Sequence, residues 1–200
     1  MSKAQQTRDA LRTQARNLFW TRGYSNVSLR EISAAAGVDV ALVSRYFGSK
    51  RGLFEATLAD LPGIDSNAVS DVPTLIDAVV RLFAEAPRDG AHASPTALIL
   101  MNAHDPEVGA AIRDLYNEKW QVPLSRIIGD PGRAALFSAA MLGVSVAEKS
   151  LHLTGIAPPG SACYAAQMRA LLNAAVELRA AERPDPEPPT PPSRSTAASP

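Results

Sequence analysis

The sequence predicts an all-α protein, with a three-helix N-terminal helix-turn-helix domain and a C-terminal helical bundle, about nine helices in total. Three observations carry this expectation. Apolar residues recur at helical spacing from Thr7 to Ala180, in segments separated by Gly and Pro. No segment alternates with period two over β-branched residues, as a half-buried strand would. Two segments near the N-terminus span only about two turns each and meet at a glycine, the layout of a helix-turn-helix.

In the first segment Leu11, Ala15, Leu18 and Phe19 form one apolar stripe, and Gly23 stands where that helix should stop. Ser28 and Glu31 have capping-box spacing, so a second helix should begin at Leu29. Gly37 ends it, and Leu29, Ile32 and Ala36 give it one apolar face. The small residues Ala34, Ala35, Ala36 and Gly37 are expected to let two helix axes approach closely. Asp39 can cap the third helix, on which Val43 and Phe47 point inward, and Ser49 can cap a fourth that starts at Lys50. Helical patterns then run over 49–61, 72–86, 93–103, 106–128, 131–154 and 161–181. Pro62-Gly63, Pro87 to Gly90, Pro106, Pro131-Gly132 and Pro158-Pro159-Gly160 separate them, and Pro123 is expected to kink the 106–128 segment. Residues 181–200 hold seven prolines and little to bury, the composition of a disordered tail. The expected organisation is a head at 1–54, a body at 55–181 and a tail at 182–200.

Composition narrows the chemistry. Residues 1–51 hold nine Lys and Arg against three acids, a head of +6 in a chain of zero net charge. A basic head on an acidic body suggests a polyanion partner for the head. The single cysteine, Cys163, excludes an intrachain disulfide and any zinc site with two or more cysteines. His92, His104 and His152 have no second ligand at helical spacing. No phosphate-cradling glycine loop, nucleophile elbow, paired catalytic carboxylates or metalloprotease motif is present. The expectation is a cytoplasmic protein that is not an enzyme, with no catalytic residue, no cofactor, no metal and no membrane partner.

The string Leu18-Phe19, Arg22-Gly23-Tyr24, Ser28, Glu31-Ile32, Ala35-Ala36-Gly37-Val38, Val43, Tyr46-Phe47-Gly48-Ser49-Lys50 and Leu53-Phe54 resembles the DNA-binding head of the tetracycline-repressor (TetR) family. The resemblance covers about a quarter of the chain, over residues 7–54. It implies that the helix at 40–47 enters the major groove. Val40, Ala41 and Ser44 then fall at base-contacting positions, and Arg30 at a base-reading or backbone position. Tyr46 and Lys50 fall at phosphate positions, and the helix capped by Ser28 presents its N-terminus to phosphate. Leu42 and Ser44 depart from the family pattern, which favours a small or polar residue and an aromatic there. Side-chain chemistry alone makes Val40, Ala41 and Leu42 readers of thymine methyls, and Arg30 or Arg45 readers of guanine.

For the body, the resemblance implies a homodimer made by the last two long helices, with Leu136, Met141, Leu142, Leu171, Leu172 and Leu178 as candidate interface residues. The expected function is a ligand-responsive regulator that represses at a palindromic duplex-DNA operator and is released by a small apolar effector. Phe83, Leu98, Met101 and Trp120 are the candidate pocket wall, with Asn102 and His104 as polar contacts. The competing readings are a constitutive DNA-binding regulator without effector, and a helical small-molecule-binding protein or enzyme.

Overall fold

The computed structural model describes residues 2–59, 61–65, 68–85 and 93–177. Helix α1 (Lys3–Arg22) starts earlier than the apolar stripe, because the Ser2 hydroxyl accepts from the Gln5 amide. It is followed by α2 (Leu29–Ala36), α3 (Ala41–Phe47) and α4 (Lys50–Leu58). The body holds α5 (Val72–Glu85), α6 (Pro95–Asn102), α7 (Gly109–Tyr116), α8 (Val122–Ile128), α9 (Pro131–Lys149) and α10 (Ala162–Glu177). A π-helical turn at Asn117–Gln121 joins α7 to α8 without a break, so the described residues form nine helical rods and no strand. The segment at 87–92, the tail and Leu178 lie outside the described residues.

The π turn has a cause in the sequence. Pro123 lacks an N–H, so the Lys119 carbonyl four residues earlier loses its helical partner. That carbonyl instead accepts from the Ile64 amide at 3.1 Å. The linker after α4 is thereby tied to the α7–α8 rod. Its approach needs glycine, since a Cβ on Gly63 would lie 2.9 Å from the same oxygen.

Two sequence expectations shift. The 131–154 segment stops at Lys149, although no Gly or Pro marks the place. There Val146 accepts both the Ser150 and Leu151 amides, Ala147 accepts from Leu153, and His152 takes the left-handed conformation (φ 48°) usually left to glycine. The 106–128 segment becomes helical only at Gly109, because the Asp105 carboxylate holds the Glu107 and Val108 amides in a turn.

Packing forms two cores. The first joins Leu11, Ala15, Phe19, Trp20, Tyr24, Val27, Ile32, Val43, Leu53 and Phe54 to Leu61, Leu98, Val108 and Ile112. The head therefore packs continuously onto α6 and α7, and its side chains continue past residue 54 through Thr57 and Leu61. The second gathers α5, α8, α9 and α10 around Leu75, Val79, Phe83, Leu124, Phe137, Tyr164, Met168 and Leu172. Half-buried Trp120, in the π turn, packs against both.

Gly63→Ala should lower stability by roughly 1–3 kcal/mol, the usual cost of forcing a side chain into an occupied space. Urea denaturation of the two proteins checks this; an unchanged midpoint would mean that the linker does not dock on the π turn.

Candidate nucleic-acid interface

Local chemistry builds the head. The Ser28 hydroxyl accepts from the Glu31 amide, while the Glu31 carboxylate accepts from the Ser28 amide at 2.8 Å, closing a capping box. Gly37, with φ 66° and ψ 34°, supplies the left-handed residue that ends α2 and turns the chain into α3. Asp39 accepts from the Ala41 amide at 2.7 Å and so satisfies a free donor at the start of α3. Ser49 accepts from Gly52 and opens α4.

Val43 anchors α3 with no exposed surface, and Ile32 does the same for α2. With those faces buried, α3 turns Val40, Ala41, Ser44 and Arg45 to solvent, and α2 does the same with Ser28 and Arg30. Tyr46 and Lys50 are half-buried at the edge of this face. The eight residues expected to meet DNA are thus carried by α2, α3, the start of α4 and the turns beside them. Leu42 is not part of the face: it is half-buried against the first core. Nor do all the small residues of α2 serve close packing, since Ala34 and Ala35 are exposed and only Ala36 packs inward.

The surrounding charges are restrained by neighbours. Arg22 donates to Glu31 at 2.9 Å and also to the Asn26 carbonyl. The Arg16 guanidinium lies over the Trp20 ring and that of Arg8 over Phe47. The Lys50 ammonium lies 4.3 Å from the centroid of the Tyr24 ring. Glu31 is held down to about 2 from an ordinary 4.5, first by the Ser28 backbone bond, then by the Ser28 hydroxyl and Arg22.

A clamp that the sequence did not reveal fixes this head to the body. Asn102, at the end of α6, is fully buried. Its Oδ1 accepts from the Tyr24 amide at 2.7 Å, and its Nδ2 donates to the carbonyls of Phe19 (3.1 Å) and Leu98 (2.9 Å). Asp105 accepts from both the amide and the hydroxyl of Ser25. Burial alone would raise the Asp105 carboxyl, but its bonds from Ser25, Glu107 and Val108 prevail and lower it. Tyr24 donates its hydroxyl to Glu107 at 2.8 Å. Burial first, and then the Glu107 carboxylate, push the Tyr24 phenol upward, so it stays protonated as the donor.

The clamp corrects the expected role of Asn102, whose amide is already committed to the head. The other candidate wall residues do not converge either. Leu98 lies in the first core and Phe83 in the second, Trp120 packs between the two, and Met101 and His104 are exposed. Among the candidate interface residues, Leu136 and Leu171 are exposed, and Met141 and Leu142 are half-buried. Leu172 is fully buried in the protomer's own core, one residue and about 100° around the helix from Leu171. Cys163 is exposed, and among the described residues no cluster of His, Cys, Asp and Glu could hold a metal. No helix among them is long and apolar enough to cross a membrane.

A helix-turn-helix whose outer face is exposed, mounted on a helical body, is the build of a DNA-binding head. Residues 11–57 match the family described as bacterial regulatory proteins, tetR family. The whole fold is similar to native NalD, the secondary repressor of the MexAB-OprM multidrug efflux pump in Pseudomonas aeruginosa. The TM-score is 0.66 at 17% identity, over 86% of this chain and 98% of that one. A second NalD structure gives 0.64 at 17% identity, over 87% and 95% of the two chains. A mutant of HlyIIR gives 0.56 at 18%, over 84% and 98%. No curated protein matches the chain. These identities carry the fold alone, and the likeness to the tetR family rests on the head, residues 11–57.

The low value of Glu31 has a consequence for stability. Its carboxylate favours the folded head above its unfolded pKa, and that contribution is lost as pH falls through the folded value. Acid titration of stability should therefore be less steep in Glu31→Gln than in the wild type between pH 4.5 and about 2. Parallel curves would mean that the capping box does not titrate as the structure requires.

Proposed function

We propose that the chain is a ligand-responsive repressor, which binds a palindromic operator as a homodimer in the cytoplasm and is released by a small apolar effector. The observation that carries this reading is the exposed face of α2 and α3, rigidly mounted on a body that presents a second apolar surface. On that face, Arg30 and Ser44 read bases, Val40 and Ala41 meet thymine methyls, and Tyr46, Lys50 and the Ser28 helix end hold phosphates. Arg45 is the further cation within reach of the groove. The repressor named among the similar structures supports the sign of regulation.

The dimer surface runs along α9 and α10. Ala135, Leu136, Ala139 and Gly143 are exposed on α9, and Cys163, Ala166, Ala170, Leu171 and Ala174 on α10. Both sets recur at helical spacing and are small or apolar, suited to close helix packing across a two-fold axis. Leu171→Glu should give a folded monomer on a sizing column with weakened operator binding. Leu172→Glu, which puts a charge into the protomer's own core, should instead unfold the protein. A dimeric, fully active Leu171→Glu protein would remove this surface from consideration.

For the head, selection from random duplexes should yield a palindrome. Arg30→Ala and Ser44→Ala should then relax sequence preference, by about 1–3 kcal/mol for each good base contact. Tyr46→Phe should weaken all sequences alike, since phosphate carries no sequence information. Equal losses on selected and random DNA for every variant would contradict the assignment.

The effector site is assigned to the body between residues 72 and 128, with Phe83 and Trp120 as the lining residues nearest the second core. An effector that prefers the body in a state with misplaced heads must weaken operator binding by the same factor, about 5–150-fold for a typical coupling. The dispersal of Leu98, Met101, Asn102 and His104 favours the constitutive regulator as the second reading. A metabolite screen by thermal shift and operator affinity separates the two: a hit that changes both supports the sensor, and a screen without one supports the constitutive regulator.

A further inference from the structure

We propose that Tyr24 is a positioning residue for DNA binding, which holds the Lys50 ammonium for its phosphate and ties that contact to the body through Glu107. The proposal rests on the reading of Lys50 as a phosphate contact.

A lysine side chain has many rotamers, and a phosphate contact must select one of them. Here Lys50 is half-buried at the first residue of α4, with its ammonium over the Tyr24 ring. The ring itself is nearly immobile. It is 2% exposed, and lies 5.5 Å from Phe19 and 5.2 Å, edge to face, from Phe54. Its backbone amide is fixed by Asn102 and its hydroxyl by Glu107. A phenol that donates to a carboxylate also keeps more electron density on its face, which favours the cation above it. The ring thus pre-orders a flexible cation, and two of the groups that fix the ring belong to the α6–α7 region and not to the head.

The arrangement makes one phosphate contact sensitive to where the body sits. A displaced Glu107 removes the hydroxyl's partner, the ring loosens, and the ammonium returns to its rotamer ensemble. Arg51, the neighbouring cation, also lies in the electrostatic field of Glu107 and Tyr24, but its guanidinium is held by Glu55 at 2.9 Å rather than by a ring.

A double-mutant cycle on the full-length protein tests this, with a fluorescent mixed-sequence duplex as probe and salt as the variable. Lys50→Ala should lower affinity and reduce the salt slope by about one. Tyr24→Leu, which removes the ring, should weaken binding about two- to five-fold, the size of one partly exposed cation–π contact, and Glu107→Ala, which removes only the ring's anchor, should weaken it less. In the Lys50→Ala background both effects should vanish. Glu107 is exposed, so its variant should fold, and thermal unfolding confirms this for each protein. Losses that multiply unchanged in the Lys50→Ala background would assign Tyr24 and Glu107 a merely structural role and overturn the proposal. A salt slope unaffected by Lys50→Ala would instead overturn the phosphate reading itself, and the proposal with it.

Discussion

The structure depends on one buried amide. Asn102 makes two hydrogen bonds from the end of α6 to the end of α1, from the Tyr24 amide and to the Phe19 carbonyl, and a third to the Leu98 carbonyl of its own helix. In a site without water such bonds are costly to lose, because each freed backbone group keeps its full desolvation penalty. The Phe19 carbonyl, the Tyr24 amide and the Leu98 carbonyl are therefore held at fixed separations. Around that point the Phe19, Tyr24 and Phe54 rings pack together, and the first core spreads from the head into α6 and α7. Helix α3 does not hang from the body by a flexible tether. It is one wall of a core whose opposite wall is the body.

This bears on how a regulator of this build can work. A DNA-binding head must be rigid enough to present side chains to a groove, and two heads must keep a separation that fits successive grooves. Rigidity inside the head comes from caps and from Ile32 and Val43; rigidity between head and body comes from Asn102, Asp105 and Glu107. The second core is separately organised around α5, α8, α9 and α10, and Trp120 and the Gly63–Lys119 contact link it to the first.

The head was legible in the sequence because its signals are local. Ser28 and Glu31 are three residues apart, Gly37 needs only its own φ, and Val43 and Phe47 are one turn apart. The clamp was not, because Tyr24 and Asn102 are 78 residues apart and nothing around Asn102 marks it as a tether. The same gap explains the candidate pocket: Phe83, Leu98 and Met101 are apolar in either role, and only the fold assigns them to two cores and to solvent. Leu171 and Leu172 show the limit within a single helix. When α10 is apolar on two sides, composition does not fix which side faces inward, and adjacent residues take opposite fates. That Pro123 would leave a carbonyl without its helical partner was readable from its missing donor; that a π turn would form and Ile64 take up the freed carbonyl was not.

Native-state hydrogen exchange at the Tyr24 amide shows whether head and body form one cooperative unit through Asn102. This N–H lies in a turn outside any helix, so its protection comes from the Asn102 side chain. It should exchange as slowly as the amides of the first core, and Asn102→Ala should abolish this protection. Exchange at the rate of an open loop in the wild-type protein would mean that head and body open independently.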